Sequence, residues 1–355
     1  MLRGIIFNFY NHQVMKNAVY LLAIILFFAS CNNNEGDDPT PQNEVPTLAL
    51  TASQSPITTT AQVNFYKDVS YGSDNRNVFD FFAPESSQAT PLVIYIHGGG
   101  FTAGNKEDIY NEEALINSFL SNNIAFATIN YRLLQGASET EGVLKPLNDS
   151  KTALQFIRYY ASSFNIDKNK VVLMGSSAGA GTSLWIGLNN ELADANATDD
   201  ILKESTRVQG IIAVNTQSTY DVADWHTTVF SEYASQGMDQ DTVVSLVEEG
   251  TVLQFYGMSS LSELTSPTVV QKRMDADMLS LMSGDDPEIY VSRPGAPYRF
   301  PADKSAVLHH PLHAKVLMDK ASATGVACVA IIPQMNIDNS NGESITNFVL
   351  RKIGN

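Results

Sequence analysis

Cysteine is nearly absent: Cys31 and Cys328 are the only two in 355 residues. That excludes a disulfide framework and the clustered thiolates of a structural zinc site. Positive charge is also scarce, with 22 Lys and Arg against 38 Asp and Glu and a formal net charge of −16. A surface of that sign repels phosphate backbones and anionic headgroups, which argues against nucleic acid and against electrostatic adhesion to membranes. Histidine is sparse and unevenly spread, six in all and none beyond His313. No internal repeat occurs, and the glycine triplet at 98–100 lacks the Lys-Ser/Thr that completes a phosphate loop. No metal and no cofactor is implied.

Two short segments stand out against this background. His97-Gly98-Gly99-Gly100-Phe101 follows the apolar run Pro91–Ile96, and Gly175-Ser176-Ser177-Ala178-Gly179 follows Val171–Met174. Each run reads as a buried parallel strand, and the second segment opens into a helical stretch from Ala180 to Leu188. A serine with glycines two before and two after fits a sharp strand-to-helix turn, because Gly175 and Gly179 carry no side chains to collide there. Such a turn lifts the Ser177 hydroxyl above the sheet and points the Ala178 amide into the same space. The triplet lets backbone approach closely, so the amides of Gly99 and Gly100 supply the remainder of an oxyanion hole.

These residues resemble the α/β-hydrolase fold, and within it the esterases and lipases similar to hormone-sensitive lipase and to feruloyl-esterase-like carboxylesterases. The resemblance spans roughly residues 62–353 and is firm in the first half and loose after about residue 220. It implies a doubly wound, mostly parallel sheet with helices on both faces; residues 218–285, rich in Ser, Thr, Met and acids with helical patches such as Val243–Val247, read as a helical lid over the site. In this family the order along the chain is nucleophile, acid, histidine, the acid following the penultimate strand and the histidine the last. Here the pattern breaks. The loop after Glu288–Val291 has no carboxylate before Asp303, and the stretch Pro333–Asp338 after the last strand, Ala327–Ile332, has no histidine.

A serine hydroxyl is a poor nucleophile until a base takes its proton, so a base must come from elsewhere. His97 belongs to the oxyanion loop and is expected to orient the turn, while His226 falls in the lid. Pro311 starts a helix running to about Ala323, so His310 lies near its N-cap at the edge of the sheet where Ser177 also lies. His310, or His309, is therefore expected as a relocated base, with Asp303 as its orienting acid. Asp149 is expected to cap the helix that follows it, and Tyr131-Arg132 to tie strand and helix ends together.

The first 30 residues read as a signal peptide: Lys16, an apolar stretch Ala18–Phe28, then Ala29-Ser30-Cys31. The apolar stretch is short of the ~20 residues of a membrane helix. Cysteine after small residues resembles a bacterial lipobox, with Met15 the better start codon, so Cys31 is the expected lipidation site. Arg3 and Lys16 would leave with the leader, making the mature chain more acidic still. Residues 31–61 are polar, acidic and proline-bearing and read as a flexible tether, leaving 62–355 as the hydrolase domain. The whole is expected to be a lipid-anchored serine carboxylesterase of the cell envelope, at the outer membrane, acting on small-molecule or glycan esters. The contrasting expectation is a pseudo-esterase that keeps the pocket and binds a ligand. Cys31→Ala should release the protein from membranes; unchanged fractionation with membranes would refute the anchor.

Overall fold

The computed structural model describes residues 46–354 apart from Ala296, so the leader, Cys31 and the start of the tether lie outside the described residues. The elements run β1 (Val63–Ser70), β2 (Val78–Pro84), β3 (Thr90–Ile96), α1 (Glu113–Leu120), β4 (Ala125–Ile129), α2 (Leu144–Tyr159) and α3 (Ala161–Phe164). Next come β5 (Ile166–Ser176), α4 (Ala178–Leu188) and β6 (Gly210–Val214). Five helices follow: α5 (Trp225–Thr228), α6 (Gln240–Val247), α7 (Glu249–Tyr256), α8 (Pro267–Ala276) and α9 (Met278–Leu281). The chain ends with β7 (Glu288–Ser292), α10 (Lys304–Leu308), α11 (Pro311–Thr324), β8 (Cys328–Ile332), β9 (Ile337–Asp338) and α12 (Ile345–Ile353).

The strands form one sheet in the order β1-β2-β4-β3-β5-β6-β7-β8-β9. Pairing is parallel from β4 through β8 and antiparallel at both margins. Strand sequences with no polar alternation produce this arrangement, because both faces of a parallel sheet are covered. In β3, Leu92, Ile94 and Ile96 enter one buried cluster while Val93 and Tyr95 enter the other. Val171 and Leu173 against Val172 and Met174 repeat that division in β5. The first cluster includes Leu147 and Leu154 of α2 and Leu184 of α4. The second includes Phe119 of α1 and Phe348 and Val349 of α12. The expected doubly wound α/β sheet is present, and the helices between β6 and β7 occupy the region expected to form a lid.

Two boundaries differ from expectation. Residues 46–61 are held against the domain rather than hanging free: Leu48 N–H donates to Ser163 Oγ at 2.8 Å and Thr60 N–H to Asn117 Oδ1 at 2.9 Å. Asp149 does not cap a helix, because α2 starts earlier, with Pro146 tolerated in its first turn. From the helix interior, Asp149 grips Arg132 through Nε at 2.8 Å and Nη2 at 2.7 Å, so the tie at Tyr131-Arg132 uses this carboxylate. Cys328 is half-buried on β8, its thiol pushed up to about 12 chiefly by burial.

Candidate active site

Ser177 sits between β5 and α4 at φ 52° and ψ −120°, a conformation that costs a non-glycine residue energy and must be enforced by its surroundings. The two flanking glycines show how. A Cβ on Gly175 would lie 2.2 Å from the Gly179 carbonyl oxygen, and one on Gly179 would lie 2.0 Å from the oxygen of Ile96. The elbow is thus pressed onto β3 with no room for a methyl group. Ser177 N–H is taken by Val214 O at 2.9 Å, which fixes the turn to the end of β6.

The glycine loop lies against this elbow, since a Cβ on Gly98 would approach the Cβ of Ser177 to 3.2 Å. Gly99 adopts φ +98°, and its carbonyl accepts from the N–H groups of Thr102 and Ala103. The N–H groups of Gly99 and Gly100 donate to no partner among the described residues, and Ala178 opens α4 with its N–H outside the helical ladder. Gly100 and Ala178 join Ser177 in the wall of a 260 Å³ cavity; Gly99 stands one residue behind and shapes the turn. Phe101, Tyr220, Trp225 and Phe255 line much of the remaining wall, the last two from the helical segment between β6 and β7.

The loop is held by residues that sequence reasoning only partly found. His97, as expected, orients the turn: its Nδ1 meets Gly98 O at 2.7 Å, and burial, the largest effect, lowers its pKa to about 4. Tyr131 stacks on that imidazole at 4.2 Å between ring centroids and donates its hydroxyl to His97 O at 2.8 Å. Arg76 was missed. It donates from Nε to Tyr131 O and from Nη2 to Gly104 O, each at 2.8 Å, tying the loop to the strand ends. Nothing in its local sequence, Ser73-Asp74-Asn75-Arg76, marks it for that position.

The base position corrects the first choice made from sequence. His309, not His310, reaches the nucleophile, with Nε2 2.8 Å from Ser177 Oγ. His310 is the N-cap of α11: Nδ1 accepts from Leu312 N–H at 3.2 Å and Nε2 meets Arg299 O at 2.9 Å, so both ring nitrogens are occupied. Adjacent residues flanking a helix start point in different directions, and the N-cap must turn back onto its own helix. His309 caps the end of α10 instead, its N–H donating to Ser305 O at 3.1 Å, and its ring remains available. His313 is buried between Ser218 and Val307 O, and His226 meets Ala223 O. Neither touches Ser177.

Burial lowers the pKa of His309 from 6.5, and the nearby Arg293 cation lowers it further, against an opposing pull from the Ser305 carbonyl. The imidazole is therefore neutral at pH 7 and able to accept a proton. Asp303 is not an orienting acid: its carboxylate caps α10 by accepting from Ala306 N–H at 2.8 Å. In the loop after β7, where the family pattern places an acid, the chain has Arg293, whose Nε donates to His309 O.

Residues 79–289 match the BD-FAE family. The chain belongs to that family. The match takes in the glycine loop and the serine elbow of this BD-FAE chain and stops short of Arg293 and His309. Among curated relatives, it is 26% identical over 145 residues to gut esterase 1 of Caenorhabditis elegans, covering 39% of this chain and 25% of that protein. It is 32% identical over 111 residues to acetylcholinesterase-1 of Trittame loki, covering 30% and 19%. The chain thus spans a quarter or less of the length of these two relatives. Its fold is shared with a truncated form of a carbohydrate esterase from gut microbiota, at TM-score 0.58 and 19% identity, covering 85% of this chain and 100% of the other. An acetyl ester-xyloside bifunctional hydrolase from Caldicellulosiruptor lactoaceticus has TM-score 0.51 and 16% identity over 78% and 87% of the two chains.

Proposed function

We propose that this protein is a serine carboxylesterase that removes acyl groups from carbohydrate esters. The observation that carries the reading is the 2.8 Å contact between Ser177 Oγ and His309 Nε2 at a strained elbow facing a largely apolar cavity. A relic that only binds a ligand has no need to keep a serine strained and paired with a neutral imidazole, so the pseudo-esterase reading is disfavoured.

In the acylation step, His309 takes the Ser177 proton as Oγ bonds to the ester carbon, and the carbonyl π pair moves to oxygen. The N–H groups of Ala178 and Gly100, both in the cavity wall beside Ser177, are placed to receive that oxyanion. The imidazolium then returns its proton to the departing alkoxide as the C–O bond breaks. Water, deprotonated by the same imidazole, then bonds to the acyl carbon, and as the C–Oγ bond breaks the imidazolium returns its proton to Ser177 Oγ and the acid is released. The aromatic cavity suits the acyl part, because burying its apolar surface supplies binding without a charged partner.

Support for a sugar-bearing alcohol comes from the two solved relatives with carbohydrate-linked names, whose fold this chain shares. The leader and Cys31 support export and lipid anchoring at the cell envelope. A fluorophosphonate probe should label Ser177 stoichiometrically, and the protein should release acetate from acetylated xylo-oligosaccharides as well as cleave p-nitrophenyl acetate. Ser177→Ala should lose both. Ester hydrolysis that survives this change would place the chemistry elsewhere.

A further inference from the structure

Arg293 follows Ser292 at the end of β7 and has no carboxylate partner among the described residues, burial alone accounting for its lowered pKa. Arg132, Arg207, Arg273 and Arg351 each hold an acid. A half-buried guanidinium without a counter-charge is costly unless its hydrogen bonds are well satisfied. Here one of them reaches the main chain of His309 and the others the segments just after β6 and β7. Nε donates to the main-chain oxygen of His309, and Nη1 donates to Asn215 Oδ1 at 2.8 Å and to Pro294 O at 2.6 Å. The Arg293 N–H reaches Ile331 O on β8 at 2.9 Å, and Asn215 N–H reaches Ser292 O on β7 at 2.8 Å. The ends of β6, β7 and β8 are thereby braced to the residue that carries the imidazole.

We propose that Arg293 is the positioning residue of the Ser177–His309 pair, holding the imidazole through its own main chain where related sites hold it by a carboxylate on the ring. This rests on the esterase reading above. The two devices differ in electrical sign. A carboxylate stabilises the imidazolium formed as Ser177 loses its proton, whereas a guanidinium opposes it.

Other groups around His309 do not cancel that opposition. His310 and His313 on α11 both have lowered pKa values, His313 to about 3, so both are neutral at pH 7. At the start of α10, Asp303 accepts from Ala306 N–H and Lys304 pairs with Glu248 at 2.9 Å, and neither is among the charges that act on His309. The Ser305 carbonyl is the one contact that favours the cation. Because the base must be neutral to act, a lowered pKa keeps activity at lower pH, and the acid limb of kcat/KM should fall below the ordinary value of 6.5.

The test is the pH profile of kcat and KM on p-nitrophenyl acetate for the parent, Arg293→Met and Arg293→Lys, with thermal melts on each. Arg293→Met should lower kcat about 10- to 100-fold at nearly constant KM, the scale of a displaced catalytic group. Its acid limb should rise part of the way towards an ordinary imidazole, since burial, the larger cause of the lowered pKa, remains while the opposing charge is gone. Arg293→Lys retains the charge but cannot span both acceptors, so its acid limb should stay low while kcat recovers only in part. A lowered melting temperature with parental kcat, or a lowered kcat with an unmoved acid limb in Arg293→Met, overturns the proposal. If Arg293→Met does not fold, Arg293→Lys decides: reduced kcat with the low limb retained supports the brace, and parental kcat refutes it. Ser177→Ala run alongside separates the two claims. Turnover surviving that change defeats the esterase reading, whereas turnover lost there yet untouched by Arg293→Met defeats only the brace.

Discussion

His309→Ala should abolish ester hydrolysis nearly as completely as Ser177→Ala, while His310→Ala should leave kcat/KM within a few-fold of the parent and reduce stability. The two imidazoles are neighbours in sequence, but only His309 is in contact with Oγ. Removing a serine's base costs about 10⁶-fold where the two act as a unit. His310 instead caps α11 and packs edge-on against Phe230 and Tyr233. Loss of a helix cap costs about 0.5–2 kcal/mol, so its substitution should appear in a denaturation midpoint rather than in turnover. Steady-state kinetics and urea melts on the two variants check this; a dead His310→Ala that melts like the parent would contradict it.

Gly179→Ala should give either no folded protein or a folded protein without esterase activity. A single methyl group there would come within 2.0 Å of Ile96 O and 2.6 Å of His97 O, both main-chain atoms of the strand beneath the elbow and the loop after it. Neither can swing aside as a side chain would. The strain would be relieved by lifting α4 off β3, which moves Ser177 and the Ala178 amide away from the glycine loop. A shift of that kind costs ~100-fold or more in rate even where the fold survives. Gly237→Ala is a fitting control for the substitution itself, because its surroundings are open and its positive φ should cost only local strain. Retained parental activity in Gly179→Ala would mean that the elbow is looser than its geometry implies.

The parts of the fold legible in the sequence were those where local pattern and tertiary role coincide. The runs at 92–96, 125–129 and 171–174 are apolar at every position or nearly so, as strands covered on both faces require, and all lie within strands. The elbow was legible for a similar reason: only glycine fits where two backbones touch, so the constraint is written into the residue type. The base was not. Its identity depends on which of two adjacent imidazoles turns inward, and that is decided by the start of α11, where His310 is drawn to Leu312 N–H. Arg293 and Arg76 were also invisible, since each acts by reaching carbonyls distant in sequence that no spacing rule connects to it. Asp149 misled because a carboxylate near a helix start suggests a cap, and Pro146, which belongs to the first turn, gave no sign of how far back α2 begins.

The central claim is that Ser177 and His309 work as one catalytic unit, and a double-mutant cycle on kcat/KM for p-nitrophenyl acetate tests it most directly. If they do, Ser177→Ala, His309→Ala and the double variant should all fall to about the same residual rate, because each single change already removes the whole unit. Losses that multiply in the double variant would show two groups acting independently and would contradict the account.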